Sequence, residues 1–382
     1  MTSPGQRPGP TVFMAGGGTG GHVFPLVAVA HALVRRCPEI RPVFIGTSRG
    51  METKFVPAQG FELELLDVLP LRGGGIGGAV RGALRAAQLL PESRALIKKY
   101  APRAVFSIGG YAAGPISLAA RSMGLPVALM EPNSVVGLAN LLIAPFVRRA
   151  YTAFPEAEKR FSPAVVLRSG VPLRPGFTPR PWAPSDGPTR VLVLGGSQGA
   201  KSLNELVPQA FAQLGLPLSV VHQCGSAHGE VVKQRYRQLG VDFAHVVPFI
   251  DDMPQALADA DLVVGRSGAS AVSEMAAVGR PGLLIPYPHA SGDHQRINAQ
   301  SLARVGAAVC VSHQELSVAR LTSELRSLCQ DREKLRKMAQ ASRDQGAPDA
   351  ADTIARDFLS LAGVAAQRTT SVETTVSSPA TS

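Results

Sequence analysis

Short apolar runs alternate with longer amphipathic segments along nearly the whole chain. The first run is Val12-Phe13-Met14; a glycine-rich turn follows, and residues 23–33 are then rich in Ala, Leu and Val, which predicts a buried helix. The same unit of apolar run, turn and helical segment recurs to about residue 361. Strands that alternate with helices predict an α/β fold, in which parallel sheets are covered by helices on both faces.

The unit restarts after a proline-rich stretch in the middle of the chain. Residues 175–189 carry five prolines, which predicts a stiff, exposed linker. We therefore predict two Rossmann-like domains, residues 11–174 and residues 190–361, with a cleft between them. Residues 1–10 are predicted to form a flexible N-terminus, and the Thr- and Ser-rich residues 362–382 a disordered tail.

Length and composition fit this division. The 382 residues, of which 45% are hydrophobic, suffice for two domain cores. The longest apolar run, residues 138–147, is about half as long as a membrane-spanning helix and is interrupted by Pro145. The N-terminus lacks the apolar segment of a signal peptide, and the four cysteines are widely spaced, as is typical of reduced thiols. We expect a cytoplasmic protein that is soluble or peripheral to a membrane.

The positive charge lies in the first half of the chain. Residues 1–175 hold 20 Lys and Arg against 9 Asp and Glu, a net charge of +11, whereas the remaining residues hold 19 of each. This asymmetry indicates either an ordinary basic surface or an anionic partner: nucleic acid, phospholipid head groups or a phosphorylated substrate. We do not expect nucleic acid, because the single tryptophan, Trp182, lies in the linker and no basic sheet is rich in aromatic residues.

The first glycine-rich turn satisfies a nucleotide-binding pattern. Gly16, Gly18 and Gly21 match G-x-G-x-x-G between a strand and a helix, and His22 follows them. Free N–H groups at a helix N-terminus favour a phosphate, although a tight turn of an α/β domain has the same appearance. An NAD site would also need a carboxylate at the end of the second strand, where residues 46–49 have none. We therefore do not expect NAD.

Polar side chains follow other predicted strands. Glu131 and Asn133 come after the strand at 126–130, where they either bind a polar ligand or cap the next helix. In the second domain, N–H groups near residues 267–270 suit a diphosphate, and Glu274 lies one turn further on the same helix. That carboxylate either accepts two ribose hydroxyls or favours the helix dipole. The polar residues 289–298 suit sugar hydroxyls better than a metal.

A glycine-rich loop and an amphipathic helix are predicted over residues 69–100. Apolar positions there are interleaved with Arg72, Arg81 and Arg85. Such a mixture docks on an anionic membrane surface or packs as an ordinary helix on the sheet.

Taken together, these segments resemble the MurG family of bacterial cell-wall glycosyltransferases over about residues 11–360. Six motifs occur in the family's order: Gly16-Gly17-Gly18-Thr19-Gly20-Gly21-His22, Gly109-Gly110-Tyr111, Gly195-Gly196-Ser197-Gln198-Gly199-Ala200, Phe249-Ile250-Asp251-Asp252-Met253, Arg266-Ser267-Gly268-Ala269, and Asp293-His294-Gln295 with Asn298. The resemblance implies the GT-B architecture, two Rossmann-like domains around a deep cleft. It also implies inverting transfer of N-acetylglucosamine from UDP-N-acetylglucosamine to the 4-hydroxyl of undecaprenyl-diphosphate-muramyl-pentapeptide (lipid I), which yields lipid II for peptidoglycan synthesis.

The resemblance also implies roles for single residues. His22 would be the general base or a contact of the acceptor diphosphate, with Glu131 in reserve. Contacts with the donor substrate would come from Thr19, Gly20, Gly21, Asn133, Arg174, Ser197, Ile250, Ala269, Ser270, Ala271, Val272, Ser273, Glu274 and Gln295. The acceptor and the membrane would be contacted by Gly18, Tyr111, Arg72, Arg81 and Arg85. No metal or other cofactor is implied beyond the donor substrate.

The expected location is the cytoplasmic face of the cell membrane, with lipid I and the anionic inner leaflet as partners and other cell-wall or division proteins as further candidates. Two motifs depart from the family's pattern. Its Glu-Gln-Asn reads Glu131-Pro132-Asn133 here, and its Gly-Asn-Pro-Val-Arg reads Gly170-Val171-Pro172-Leu173-Arg174. The alternative is another UDP-sugar transferase of the GT-B type with a different lipid acceptor, such as diacylglycerol.

Overall fold

Two parallel sheets organise the computed structural model, which describes residues 9–66, 88–184, 186–196 and 198–365. The first sheet has the order β3-β2-β1-β4-β5-β6-β7. Its strands are β1 (Thr11–Ala15), β2 (Arg41–Gly46), β3 (Glu62–Leu65), β4 (Val105–Ser107), β5 (Val127–Glu131), β6 (Arg149–Thr152) and β7 (Val166–Arg168). The helices of this half are α1 (Gly20–Arg36), α2 (Glu52–Ala58), α3 (Leu90–Tyr100), α4 (Ala113–Ser122), α5 (Leu138–Ile143) and α6 (Pro155–Glu158), with short 3₁₀ turns at Ala144–Phe146 and Pro163–Val165.

The second sheet has the order β10-β9-β8-β11-β12-β13. Its strands are β8 (Thr189–Leu194), β9 (Leu218–Gln223), β10 (Ala244–Val247), β11 (Leu262–Gly265), β12 (Gly282–Leu284) and β13 (Ala308–Cys310). The helices that follow along the chain are α7 (Lys201–Ala212), α8 (Gly229–Gln238), α9 (Met253–Asp259), α10 (Ala269–Val278), α11 (His294–Arg304), α12 (Val318–Gln330), α13 (Arg332–Asp344) and α14 (Ala350–Leu361), with a 3₁₀ turn at Ser291–Asp293 before α11.

The chain has a first glycine loop, residues 16–21 after β1, and a second glycine loop, residues 195–200 after β8. The strand orders place these two loops at equivalent points. β1 pairs with β2 on one side and with β4 on the other, and β8 pairs with β9 and β11 in the same way. The connections leave such a central strand in opposite directions, so a crevice opens at its carboxyl end, where open α/β sheets bind ligands. Every residue of β1 is buried, as a strand covered by helices on both faces requires.

The last helix packs on the first domain. α14 lies against α1, and the ring of Phe358 meets that of Phe106 edge to face at 5.4 Å. Asp357 accepts hydrogen bonds from the Arg149 guanidinium and from the Tyr151 hydroxyl, each at 2.8 Å. α14 therefore belongs by sequence to the span predicted for the second domain, 190–361, but it packs on the first domain. The amphipathic pattern of α14 marks a helix but does not reveal which sheet the helix covers.

The predicted linker is largely exposed, but it is anchored to the protein at several points. Phe177 is buried, and the Trp182 indole N–H donates a hydrogen bond to the carbonyl of Asp261 at 3.0 Å. The buried Arg280 guanidinium donates to the carbonyl of Arg180 at 3.1 Å. Aromatic and backbone groups thus hold the proline-rich segment on the second domain.

Some predicted features lie outside the described residues. These are most of the N-terminus (1–8) and of the tail (366–382), and residues 67–87, which include Arg72, Arg81 and Arg85. Of the loop and helix predicted over 69–100, the structure describes the helix Leu90–Tyr100, with Pro91 in its first turn. Within the described ranges, no helix is both long and apolar enough to cross a bilayer.

Candidate active site

The first glycine loop leads from β1 into the N-terminus of α1. Thr19 is the N-cap residue in an extended conformation, and its side chain makes no capping hydrogen bond. Its carbonyl accepts the N–H groups of His22 and Val23 at 3.0 and 3.1 Å. The N–H groups of Gly20 and Gly21 precede the first intrahelical bonds, so the helix end offers them to a ligand.

A buried carboxylate lies beneath this loop. Glu52 is only 1% exposed. Its Oε2 accepts the Gly18 N–H at 2.7 Å, and its Oε1 accepts the N–H and the hydroxyl of Thr47 at 2.9 and 3.0 Å. The Met51 N–H in turn donates to the Gly18 carbonyl at 3.3 Å. Gly18, predicted to face the acceptor, thus has its N–H turned into the protein.

His22 is held against the same loop. Its Nδ1 lies 3.2 Å from the carbonyl oxygen of Gly17. A carbonyl can only accept a hydrogen bond, so Nδ1 carries the proton and Nε2 keeps the lone pair of the neutral ring. Gly110, with φ of +90°, packs here: a side chain on it would come within 3.2 Å of the Gly17 carbonyl and 3.8 Å of Nδ1. The Gly109–Gly110 turn therefore closes over His22.

Glu131 has both carboxylate oxygens engaged. Oε1 accepts the Asn133 N–H at 3.1 Å, and Oε2 accepts the Gly137 N–H at 3.0 Å and the Asn140 side-chain amide at 2.9 Å. Burial raises the pKa of this carboxyl, while these donors and the charge of His22 oppose the rise. The geometry favours His22 over Glu131 as a base, because both carboxylate oxygens of Glu131 already accept hydrogen bonds that hold the loop after β5 in place.

Asn298 joins this loop to the second domain. Its fully buried side chain accepts the Ser134 N–H at 2.9 Å and donates to the carbonyl of Ser267 at 3.1 Å. The same amide reaches the side-chain oxygen of Asn133 at 3.5 Å. Asn133, a predicted sugar contact, therefore lies where the two domains meet.

The N-terminus of α10 forms the opposite side of the candidate site. Its N-cap is Gly268, which has no side chain to occupy the first N–H groups of the helix. The Ser270 hydroxyl is buried and has no hydrogen-bond partner among the described residues. The helix spans Ala269–Val278 and so carries the whole predicted diphosphate and ribose segment, including Ala271, Val272 and Ser273.

Glu274 and Arg174 face each other at 3.9 Å. The Glu274 side chain is 18% exposed, and its burial raises the pKa of the carboxyl to about 7, against the opposing charge of Arg174. The Arg174 guanidinium lies 5.3 Å from the centre of the Phe24 ring in α1 and 5.9 Å from that of Phe177. Arg174 thus spans the first domain and α10.

Gln295 reaches the same helix end from α11. Its side-chain oxygen accepts the Tyr287 N–H at 3.0 Å, so the Nε2 atom points toward α10. Nε2 lies about 4.0 Å from the position that a Cβ atom on Gly268 would occupy. Arg266 has a structural role: it donates to the carbonyls of Ile285 and Pro286 and to the Ser202 hydroxyl.

The second glycine loop packs tightly against the end of β9. A side chain on Gly199, where φ is +76°, would meet the carbonyl of Cys224 at 2.2 Å. Ser197 lies outside the described residues. Ile250 is partly buried just before α9, and Tyr111 is exposed after β4. The part of the chain that the structure describes contains no group of three or more His, Cys, Asp or Glu arranged to hold a metal.

Comparisons with known proteins identify this architecture. Residues 12–152 match the glycosyltransferase family 28 N-terminal domain, and residues 190–354 match the family 28 C-terminal domain. A relative from Sorangium cellulosum is 51% identical, with 92% of this chain and 88% of the relative covered. One from Anaeromyxobacter sp. (strain K) is 41% identical, with 92% of each covered. Both are named UDP-N-acetylglucosamine--N-acetylmuramyl-(pentapeptide) pyrophosphoryl-undecaprenol N-acetylglucosamine transferase.

The crystal structure of Acinetobacter baumannii MurG superposes with a TM-score of 0.81 at 31% identity, covering 92% of this chain and 99% of that one. The chain belongs to the MurG family. Membership confirms the predicted resemblance, the two Rossmann-like domains of the GT-B architecture and the prediction of a glycosyltransferase.

The structure bears on both departures from the MurG-family pattern. At Glu131-Pro132-Asn133, the flanking Glu131 and Asn133 still bond to each other, so the loop forms without the family's glutamine. At residues 170–174, the missing asparagine does not displace Arg174, which still faces Glu274.

Sequence reasoning missed Glu52. The NAD-site pattern expects a carboxylate directly at the strand end, residues 46–49, whereas Glu52 reaches back from the first turn of α2 to the end of β2. A signal was present in the sequence: Gly17, Gly46 and Gly50 all leave room for this side chain, since a side chain on any of them would meet it at 2.6 Å or less.

Proposed function

We propose that the enzyme transfers N-acetylglucosamine from UDP-N-acetylglucosamine to lipid I and so makes lipid II for peptidoglycan synthesis. The curated relatives at 51% and 41% identity carry the name of that transferase, and the chain matches them over 92% of its length. The reaction inverts the anomeric carbon, so it needs one base at the acceptor hydroxyl and stabilisation of the departing UDP on the other side.

The observation that carries the catalytic assignment is the hydrogen bond between His22 Nδ1 and the Gly17 carbonyl at 3.2 Å. It fixes the tautomer in which Nε2 is unprotonated, as a general base requires. In this proposal Nε2 takes the proton of the 4-hydroxyl of the muramyl sugar while the oxygen attacks the donor sugar. Thr19, Gly20, Gly21 and Asn133 hold that sugar, and Tyr111 lines the acceptor side.

The nucleotide occupies the second domain. The N-terminus of α10 and the unpartnered Ser270 hydroxyl stabilise the diphosphate as charge develops on it, so the mechanism requires no metal. The Glu274 carboxylate accepts the ribose hydroxyls, and Arg174 lies on the diphosphate side, where the family resemblance also predicts a contact from Ser197. Ile250 meets uracil through its backbone, and Gln295 donates from Nε2 to the sugar hydroxyls.

An acceptor assay tests this function. The purified chain is incubated with labelled UDP-N-acetylglucosamine and either a lipid I analogue or diacylglycerol. We expect a disaccharide product from the lipid I analogue alone. Transfer to diacylglycerol without transfer to the lipid I analogue would instead establish a GT-B enzyme with a different lipid acceptor.

We further propose that the first domain docks on the anionic cytoplasmic face of the cell membrane. Beside the predicted contacts Arg72, Arg81 and Arg85, the described residues add an exposed apolar patch on α5 and the 3₁₀ turn after it. Its members and their exposures are Leu138 (52%), Leu141 (38%), Leu142 (44%) and Phe146 (44%). The exposed Arg148 follows the patch, in the half of the chain that carries the net charge of +11.

Flotation with anionic liposomes tests the docking surface. Changing Leu141 and Leu142 to Glu places two charges in the patch and should reduce the floated fraction severalfold. Val231→Glu, at a 58% exposed position of the second domain, is the matched control and should float like the wild type. Equal flotation of all three proteins would reject the patch. A triple change of Arg72, Arg81 and Arg85 to Glu tests the predicted arginines in the same assay.

A further inference from the structure

Glu52 is connected to His22 through a single peptide unit. Its Oε2 accepts the Gly18 N–H at 2.7 Å, and the Gly17 carbonyl accepts from His22 Nδ1 at 3.2 Å. This carbonyl and this N–H belong to the same peptide bond. A trans peptide points its C=O and N–H in opposite directions, so a carboxylate that binds the N–H aims the carbonyl the other way.

We propose that Glu52 is a positioning residue for catalysis, which acts on His22 through the Gly17–Gly18 peptide. The carboxylate holds the peptide plane, the carbonyl of that plane holds Nδ1–H, and the ring presents Nε2 to the acceptor hydroxyl. This inference rests on the proposed role of His22 as the base. Under this proposal, the Glu52 carboxylate orients the His22 ring through the peptide and not by a direct hydrogen bond to the imidazole.

The surroundings of Glu52 support such a role. Among the ion pairs of the described residues, none includes Glu52, so its charge is met by N–H and O–H donors: those of Gly18 and Thr47. A hydrogen bond to a buried charge is stronger than one between neutral groups, and linked hydrogen bonds polarise one another. The negative charge therefore makes the Gly17 carbonyl a better acceptor for the imidazole N–H.

Glycines keep this connection open. A side chain on Gly17 would lie 2.2 Å from the Glu52 carboxylate, and one on Gly50 would lie 1.9 Å from it. Gly18 has φ of +93°, which places its N–H toward Glu52 in a conformation that other residues rarely adopt, although space around it is free. The glycine run that resembles a phosphate cradle thus accommodates an internal carboxylate.

Two other charged groups lie near the ring. The Glu131 carboxylate interacts electrostatically with His22 from the loop after β5, and Arg174 lies over Phe24, two residues further along α1. Glu131 is fully hydrogen-bonded to its own loop and Arg174 faces Glu274, so a change at Glu52 leaves both in place.

The decisive variant is Glu52→Gln in the full-length enzyme. The glutamine oxygen can still accept from Thr47, but its amide then faces the Gly18 N–H, donor against donor. We expect kcat to fall about 30- to 100-fold, since small losses of alignment have such effects. UDP affinity should be unchanged.

Matched variants separate positioning from folding. Glu39→Gln removes an exposed carboxylate of the same domain, and Thr47→Val removes one donor to Glu52 without touching Gly18. Both variants should keep most of kcat. Gly18→Ala keeps the carboxylate but strains the peptide plane, and should lose kcat like Glu52→Gln. It therefore tests the connection even where Glu52→Gln does not fold.

Three results would overturn the inference. The first is an unchanged kcat in Glu52→Gln, and the second is full activity in Gly18→Ala. The third is a fall in activity that is matched by an equal loss of UDP affinity and of thermal stability, since it would show general unfolding. Failure of the base assignment looks different. In that case His22→Ala retains its turnover, whatever Glu52→Gln does.

Discussion

The loop before α1 and the loop before α10 both contain glycine and begin a helix, but the carboxylate beside each loop lies in a different place. In the first domain, Glu52 lies beneath the loop, 1% exposed, and binds the backbone N–H of Gly18. In the second, Glu274 lies one turn inside α10, 18% exposed, and faces Arg174. The loop before α1 follows β1, the central strand of its sheet, whereas the loop before α10 follows β11, which pairs with the central strand β8; both open at the carboxyl end of a parallel strand.

The difference shows what decides the chemistry of such loops. In the loop before α1 the Glu52 carboxylate occupies the Gly18 amide, whereas in the loop before α10 the Glu274 carboxylate lies beside the N–H groups that begin α10, an arrangement that suits the ribose and diphosphate of a nucleotide. A match to G-x-G-x-x-G therefore predicts a backbone shape, and the side chain beneath it determines what the shape binds.

Removing the imidazole should have the largest effect. We expect His22→Ala to lower turnover about 10²- to 10⁴-fold, the usual contribution of a general base, while UDP affinity remains unchanged because the nucleotide is bound by the second domain. Turnover with a lipid I analogue and calorimetric UDP binding measure the two quantities. His31→Ala, on the same helix and bonded only to Gln59 in the described structure, is the control. Wild-type turnover in His22→Ala would place the base elsewhere.

Breaking the contacts of Asn298 with the loop after β5 and with the loop before α10 should have the next largest effect. Asn298→Ala leaves the Ser134 N–H and the Ser267 carbonyl without their partner at the domain junction, at a cost of about 2 kcal/mol. Thermal denaturation should show a midpoint lower by a few degrees. Gln300→Ala, at an exposed position of the same helix, should not change it. Equal midpoints for both variants would mean that Asn298 does not hold the domains together.

Protonation of the Glu274 carboxylate should have the smallest effect. Because the pKa of Glu274 is raised to about 7, the group is mostly protonated at pH 6 and mostly ionised at pH 8. Only the ionised form accepts two hydroxyls, so affinity for UDP-N-acetylglucosamine should fall about tenfold from pH 8 to pH 6.

Calorimetry at both pH values measures this change. Glu274→Gln should bind more weakly at pH 8 and lose the dependence on pH, while Glu230→Gln, at an exposed position, should keep it. A pH-independent affinity in the wild type would contradict the ribose contact.

Local patterns predicted the regular elements well. The first apolar run, residues 12–14, lies within β1, and the strand predicted at 126–130 matches β5 to within one residue, because apolar runs and flanking turns are local properties. The packing of α14 on the first domain and the contacts of Asn298 across the junction were not predicted, since they join residues far apart in the chain. The roles assigned to the site residues stay predictions.

The packing of α14 also bears on how the enzyme is made. Phe106 and Tyr151 lie in the first half, yet they are covered by Phe358 and Asp357, which the ribosome adds 252 and 206 residues later. Domains at the amino end of a chain commonly fold first during synthesis. Here the first domain cannot complete its core until the second domain has been synthesised. The order of synthesis thus delays the completed first domain until the second has already emerged.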